Sequence, residues 1–375
     1  MIHIDQDRVT QLLLDLVKIN SPSHHEAEIA EFLAHTLTDH GFEVRRFDPP
    51  QGVEGDTGNL LATYRGEPDI EPVLFAAHMD TIQPTAGINV RIDDGIMHTD
   101  GTTVLGADDK AGIAAMIEGV LAIRDSGVRH GDIELLFTVA EETGLYGAKA
   151  TQPDHVRSRI GYVLDDGKPV GGAVHQAPYH ERIHITVHGK AAHAGMCPEL
   201  GINAIEIAAA AIAGLHTGRI DDETTSNVGV IQGGILTNIV PDACHVTLEA
   251  RSVRADKLLA EVARLRGAFE HACAERMVKL DCRQVREYNG YIHSPDCRAM
   301  TIARRAAEAA GLEFSSRPTG AGTDANVLNT IGIETVVLGT GMCAAHTSDE
   351  YIEIRDLANT ARLVAAIIQG VGSRV

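Results

Sequence analysis

Val73-Leu74-Phe75-Ala76-Ala77-His78-Met79-Asp80 sets an imidazole and a carboxylate directly after a run of apolar residues. A short apolar run bounded by polar residues reads as a buried strand, so His78 and Asp80 fall at a strand's carboxyl end. The same arrangement recurs twice: residues 133–139 are followed by Glu141-Glu142, and residues 162–164 by Asp165-Asp166. Residues 111–123 read as a helix between the first two of these strands, and Asp108 closes Gly106-Ala107 just before it. Residues 60–64 and 333–338 read as further strands. Val9, Leu12, Leu13, Leu16 and Val17 describe an amphipathic first helix. Ile29, Phe32, Leu33 and Leu37 describe a second, with Ser23 and Glu26 at capping-box spacing and Gly41 where it would stop. Residues 357–368 form a closing helix. Strands alternating with helices predict an α/β sheet covered on both faces, and in such sheets ligands gather beyond the carboxyl ends of the strands.

The pattern changes in the middle of the chain. Residues 183–187 read as a strand, 204–215 as a helix, 228–231 and 246–250 as strands, 258–274 as a helix and 278–285 as a strand. That βαββαβ order is the split arrangement of a small ferredoxin-like domain. From about residue 295 helix and strand alternate again. The simplest account is an α/β domain made of residues 1–179 and 294–375, with a second domain, residues 180–293, inserted into it.

Composition agrees with this and removes several function classes. A chain of 375 residues suits two packed units, and no apolar run approaches the ~20 residues that span a bilayer. Residues 1–21 carry Asp5, Asp7 and Asp15 at helical spacing and have neither the basic start nor the apolar centre of a secretion signal. Six cysteines (Cys197, Cys244, Cys273, Cys282, Cys297, Cys343) are scattered without Cys-x-x-Cys pairing, as reduced thiols of the cytoplasm would be. A formal charge of -20 repels a phosphate backbone, and no basic patch with interleaved aromatics is present, so neither nucleic acid nor a membrane is expected as a partner.

The chemistry lies in the strand-end clusters. Two histidines, His78 and His346 (the latter beyond the late strand), join several carboxylates as a ligand set that suits zinc, or less tightly manganese or cobalt, at a pair of ions. Two cations ~3.5–4 Å apart need a shared anionic bridge as well as private ligands, and a single aspartate can supply that bridge. One acid must then stay unligated to take a proton from the water between them.

Five segments carry a more specific resemblance: His78-Met79-Asp80-Thr81, Gly106-Ala107-Asp108-Asp109-Lys110-Ala111-Gly112, Ala140-Glu141-Glu142-Thr143-Gly144, His193-Ala194-Gly195 and Ala345-His346-Thr347-Ser348-Asp349-Glu350. In this order the chain resembles the dinuclear zinc exopeptidases and deacylases, the family of peptidase T, carboxypeptidase G and succinyl-diaminopimelate desuccinylase. The resemblance implies Asp108 as the bridge, with a cis Asp108–Asp109 peptide. It implies His78 and Asp165 at one ion and Glu142 and His346 at the other. Asp165 is preferred to Asp166 because it directly ends its strand and falls at the family's position. Asp80 would orient the His78 imidazole, and Glu141 would be the general base of a metal-bridged hydroxide. From the inserted domain, which serves the family as lid and dimerisation domain, His193 would polarise the carbonyl. Asn238 and Arg251 would bind a substrate carboxylate, although a structural salt bridge suits Arg251 equally well. Gly320-Ala321-Gly322-Thr323-Asp324 lacks a phosphate loop's ending and reads as a loop entering a helix beside the substrate.

Peptidase T-like proteins look nearest, which implies hydrolysis of a peptide bond in small peptides and a possible homodimer through the inserted domain. The segment between Asp80 and Asp108 is shorter than in peptidase T, which keeps open a deacylase or carboxypeptidase acting on N-acyl amino acids or dipeptides. A reading of another class, a nucleotide-binding α/β protein without hydrolase activity, predicts a glycine-rich phosphate loop after the first strand, and none is there.

Overall fold

In the computed structural model, which describes residues 2–372, four neighbouring strands are buried at nearly every position. They lie in the order Ile133–Thr138, Val73–His78, Ile160–Asp166 and Glu334–Gly339, all parallel. Continuous apolar runs belong in such strands because both sheet faces are covered. Leu60–Tyr64 and then Glu43–Arg46 extend the sheet antiparallel on one side, and Gly172–Ala177 on the other. The carboxyl ends of the four parallel strands therefore point the same way, and His78, Glu141, Glu142, Asp165 and Asp166 stand at or just past them.

Helix Ala107–Ser126 is buried at every residue from Ala107 to Ile123 and packs against Gln6–Val17 and the closing helix Ile354–Gly372. Such burial needs close approach. At Gly119 a Cβ would meet Val364 Cγ1 at 2.5 Å, so only glycine lets these two helices sit so near. The helix begins earlier than its apolar pattern indicates, and its first residues are irregular: Asp108 and Asp109 have non-helical angles, and the peptide bond between them is cis.

Two features depart from the sequence reading. Ser23 and Glu26 form no capping box: helix Ala27–Asp39 has no side-chain cap from Glu26. The Ser23 hydroxyl donates instead to Asp80 Oδ2 at 2.6 Å, Glu26 accepts from the amides of His24 and Ala140, and Asp56 accepts from Ala27 N. In addition, a small antiparallel sheet of Val90–Asp93, Ile96–Thr99, Tyr351–Glu353 and Met342–Cys343 has no counterpart in the sequence reading.

Chain contacts divide the molecule into two units. One takes the chain up to His175, Ile292–Pro318 and everything from Thr323; the other takes Gln176–Tyr291 with Thr319–Gly322. The glycine-rich segment is thus split, Gly320 to Gly322 going with the second unit and Asp324 opening helix Asp324–Leu328 of the first. In the second unit the sheet order is Gly218–Asp221, Thr224–Gly233, Ala243–Ser252, Tyr179–His188 and Leu280–Tyr288, antiparallel throughout. Helices Ala204–Ala213 and Ala255–Glu275 cover one face through Ile183, Ile185, Val246, Leu248, Leu258 and Phe269. Apart from the short hairpin strand Gly218–Asp221, this is the ferredoxin-like split βαβ order.

Candidate metal centre

His78 ends its strand almost completely buried. Its Nδ1 lies 2.9 Å from the carbonyl oxygen of Asp80. A carbonyl only accepts, so Nδ1 carries a proton, and Nε2 is the ring nitrogen turned to the site. Asp80 therefore orients this ring chiefly through its main chain, with the carboxylate Oδ1 at 3.4 Å. That buried carboxylate also accepts from Glu141 N at 3.0 Å, from Glu142 N at 3.3 Å and from Ser23 Oγ. One residue thus ties the imidazole strand to the loop bearing the two glutamates.

Asp108 stands at the centre. Its Oδ1 is 3.0 Å from His78 Nε2, and its Oδ2 is 3.2 Å from His346 Nε2. His346 Nε2 is also 3.1 Å from Glu142 Oε1, while Asp165 Oδ1 lies 3.9 Å from His78 Nε2. One carboxylate therefore meets a different imidazole with each oxygen, and each imidazole has a second carboxylate nearby. Asp166 faces away, paired with Arg317 at 2.6 Å. The main chain of Asp108 is pinned by Glu350, whose carboxylate accepts from Gly106 N at 2.7 Å and Asp108 N at 2.9 Å. Ala140 (φ 49) and His346 (φ 67) are among the non-glycine residues that take left-handed backbone, a conformation that costs energy and gathers at functional sites.

The charges are far from balanced. Asp108, Asp109, Glu141, Glu142 and Asp165 crowd one region. Burial, and then the neighbouring charge of Asp165, push Glu141 well above the usual carboxylate range; burial and Asp108 do the same to Asp165. Burial works against ionised Asp108 too, but the His346 and His78 imidazoles outweigh it and hold that carboxyl well down. Contact with Asp108 and Glu142 raises His346 to about 10. Two ligand groups have atoms close enough to hold one ion: His78, Asp108 and Glu142, and His78, Asp109 and Asp165. Both oxygens of Asp109 are buried with no hydrogen-bond partner among the described residues. Orphaned carboxylate oxygens in a buried, acid-rich cluster fit divalent cations. A cavity of about 1010 Å³ brings none of these groups together; it is lined by Ile70, Arg298, Ile302 and Ala366, near the amino ends of the strands.

The family model described as peptidase family M20/M25/M40 matches residues 74–370. The chain belongs to this family. It is 39% identical to the uncharacterized protein YqjE of Bacillus subtilis (strain 168) over 98% of this chain and 99% of that one. Among solved structures it is similar to aminopeptidase PepT from Bacillus cereus ATCC 10987, with 41% identity, a TM-score of 0.89 and coverage of 99% and 100% of the two chains. It is also similar to a tripeptidase from Staphylococcus aureus subsp. aureus Mu50, with 34% identity, a TM-score of 0.92 and coverage of 98% and 99%. The protein is a metal-dependent peptidase of the M20 family with an α/β catalytic fold and an inserted lid domain.

In this M20 peptidase the second unit brings His193 and Asn238 together. His193 bridges to Ile239, and Ala194 N donates to Asn238 O at 3.0 Å. His193 Nδ1 accepts from the amides of Gly195 at 3.2 Å and Met196 at 3.1 Å, which leaves the proton on Nε2 of an exposed ring. Arg251 stands elsewhere in that unit, on the sheet beside Glu249. Four site residues escaped the sequence reading: Ser23, Asp109, Glu350 and Asp324. Asp324 is buried, with Oδ2 accepting from Thr138 Oγ1 and Oδ1 unpartnered. Asp109 and Glu350 had a signal, as members of the family-like segments at 106–112 and 345–350.

Proposed function

We propose that this peptidase is a cytoplasmic aminopeptidase of small peptides, holding two divalent ions, most readily zinc, with cobalt or manganese as substitutes. Asp108 would be shared between the two ions, with His78 and Asp165 holding one and Glu142 and His346 the other. The observation that carries this reading is the Asp108 carboxylate with one imidazole at each of its oxygens. When bound, the ions polarise the scissile carbonyl and make a water acidic enough to attack near neutral pH.

The remaining work falls to the chain. Glu141 is the proton carrier. Its amide donates to Asp80 Oδ1, and its carbonyl accepts from Gly144 N at 2.9 Å and Leu145 N at 2.8 Å, so a loop fixed at both ends holds the side chain. A carboxyl pushed upward by burial suits a group that takes a proton from water and hands it to the departing amine. His193, with Nε2–H outward, donates to the carbonyl oxygen as it gathers charge. Asn238 and Arg251 take the substrate carboxylate. The names of the Bacillus cereus and Staphylococcus aureus relatives, aminopeptidase and tripeptidase, support cleavage of short peptides from the amino end.

A homodimer through the second unit is part of this proposal. Strand Thr224–Gly233 is paired by its hairpin neighbour only as far as Ser226, and beyond it Val230, Ile231, Ile235 and Leu236 are 46%, 48%, 86% and 61% exposed. An open strand edge with apolar side chains is suited to a second copy. The cytoplasmic setting is supported by six cysteines without a disulfide. No helix among the described residues is long and apolar enough to cross a membrane. The deciding experiment offers the metal-loaded enzyme di- and tripeptides, N-terminally acetylated tripeptides and N-acyl amino acids. Release of the first residue from free tripeptides, with acetylated ones inert, is expected. Preferred hydrolysis of N-acyl amino acids would overturn the assignment.

A further inference from the structure

Strand Ala243–Ser252 alternates its side chains: Leu248 and Ala250 enter the core under the helices, and Glu249 and Arg251 project from the other face. Arg251 lies opposite His180 of the neighbouring strand. Glu249 Oε2 gathers both side chains, with Arg251 Nη2 at 3.2 Å and His180 Nε2 at 3.1 Å. His180 is itself nearly buried and set edge-on against the Tyr288 ring, 5.2 Å away. Arg251 Nη1 donates to the Gly320 carbonyl at 3.4 Å. That segment is fixed in turn, because Thr319 N donates to Gln176 O, and the Tyr288 ring lies where a Cβ on Gly322 would be.

Both terminal nitrogens of the guanidinium are thus directed, yet Nε is buried and has no partner among the described residues. A buried donor left unmade costs energy, which calls for a ligand in the working protein. The fork of an arginine takes a carboxylate through two parallel N–H donors. With Nη1 on Gly320 and part of Nη2 on Glu249, the edge left over is Nε with the remaining Nη2 hydrogen.

We propose that Glu249, backed by His180, is a positioning residue: it turns the Arg251 guanidinium so that its Nε edge receives the terminal carboxylate of the peptide substrate. This rests on the reading above that Arg251 binds that carboxylate. Glu249 suits this role because contact with His180, and then the charge of Arg251, hold its carboxyl down at about 2, ionised throughout the working range. It does not compete with substrate, since it occupies a different nitrogen from the vacant one.

The test compares a tripeptide with its C-terminal amide on the metal-loaded enzyme, using Glu249→Ala, Glu249→Asp and Arg251→Gln, with thermal unfolding as the folding control. Glu249→Ala is expected to raise KM for the free acid on the order of tenfold, leave kcat within about threefold and leave KM for the amide unchanged. Glu249→Asp should recover part of the loss. An equal rise for acid and amide would mean a merely structural role, and a fall in KM for the acid would mean a competing carboxylate; either overturns the proposal. Arg251→Gln separates the two levels. If it discriminates acid from amide while Glu249→Ala does not, only the role of Glu249 is lost. If it fails to discriminate, the carboxylate reading of Arg251 falls, and the role of Glu249 with it.

Discussion

Gly112 lies where the long buried helix meets the end of the strand bearing Asp165, and Gly112→Ala tests whether that closeness sets the site. An added Cβ would stand 2.4 Å from Asp109 Oδ1 and 2.4 Å from the Leu164 carbonyl. Ordinary contact begins near ~3.5 Å, so about 1 Å must be found. Neither obstacle is a flexible tip. Asp109 is fully buried, and the Leu164 carbonyl belongs to the strand residue immediately before Asp165. Relief by either route shifts Asp108 and Asp109 on the helix side or Asp165 on the strand side. Overpacking of this kind costs about 1–3 kcal/mol of stability, and a displacement of ~1 Å at reacting groups lowers turnover on the order of a hundredfold. Gly119→Ala is the matched control. It lies two turns further along the same helix, and its Cβ would meet Val364 Cγ1 at 2.5 Å, so it strains the fold without touching a ligand. The assay measures kcat/KM on a tripeptide per folded, metal-loaded molecule, beside thermal unfolding of both variants. Both should lose stability, and only Gly112→Ala should lose activity per folded molecule. Equal activity losses, or a fully active Gly112→Ala, would refute the reasoning.

Chelation should abolish hydrolysis, and zinc, cobalt or manganese should restore it; hydrolysis that persists after metal analysis shows none left contradicts the ligand set. Glu141→Ala should retain both ions by elemental analysis while turnover falls on the order of a hundredfold or more, and a near-normal rate would move the proton carrier elsewhere. Glu26 gives a pH signature: burial, and then the charge of Asp80, push its carboxyl up to about 7, so the fold disfavours its ionised form. The cost is absent below the ordinary carboxylate range of ~4.3, grows as pH rises from there and is complete above about 7. Glu26→Gln removes it, so the variant's unfolding free energy in urea should rise relative to wild type between about pH 5 and about pH 8. A difference that is flat with pH would show that Glu26 does not titrate in this way.

The legible parts of this molecule were those in which a local pattern has one physical cause. Strands covered on both faces are mostly apolar, so residues 73–77 and, despite Glu134 and Thr138, residues 133–139 announced themselves, and with them the strand ends bearing His78 and Glu141. The ligand set as a set came from resemblance, because no spacing tells that His346 approaches Asp108 from 238 positions away. What stayed hidden was the choice between partners. Ser23 and Glu26 have the spacing of a local cap, yet a buried carboxylate 57 positions on takes the serine hydroxyl. A charged acceptor makes a stronger hydrogen bond than a helix amide offers, and nothing near residue 23 reveals that such an acceptor is within reach. The small sheet was missed for another reason: its strands are two to four residues long and partly exposed, so no period can establish itself.

The electrostatics of the first unit bear on how metal binding and folding are joined. Asp108, Asp109, Glu141, Glu142 and Asp165 converge with His78 and His346 as the facing imidazoles, and Glu141 and Asp165 are pushed toward their neutral forms. A chain folding without cations must therefore take up protons or tolerate repulsion at the ends of its central strands. Divalent ions relieve both, and since the unfolded chain holds no such cluster, the relief appears as stability of the folded state. Its backbone supports, Glu350 on the amides of Gly106 and Asp108 and Asp80 on those of Glu141 and Glu142, hold the ligand loops in place by bonds to main chain rather than to the ligands' own carboxylates. The loops can then keep their shape whether or not the carboxylates are compensated, and the energy of bringing like charges together is left for the metal to release.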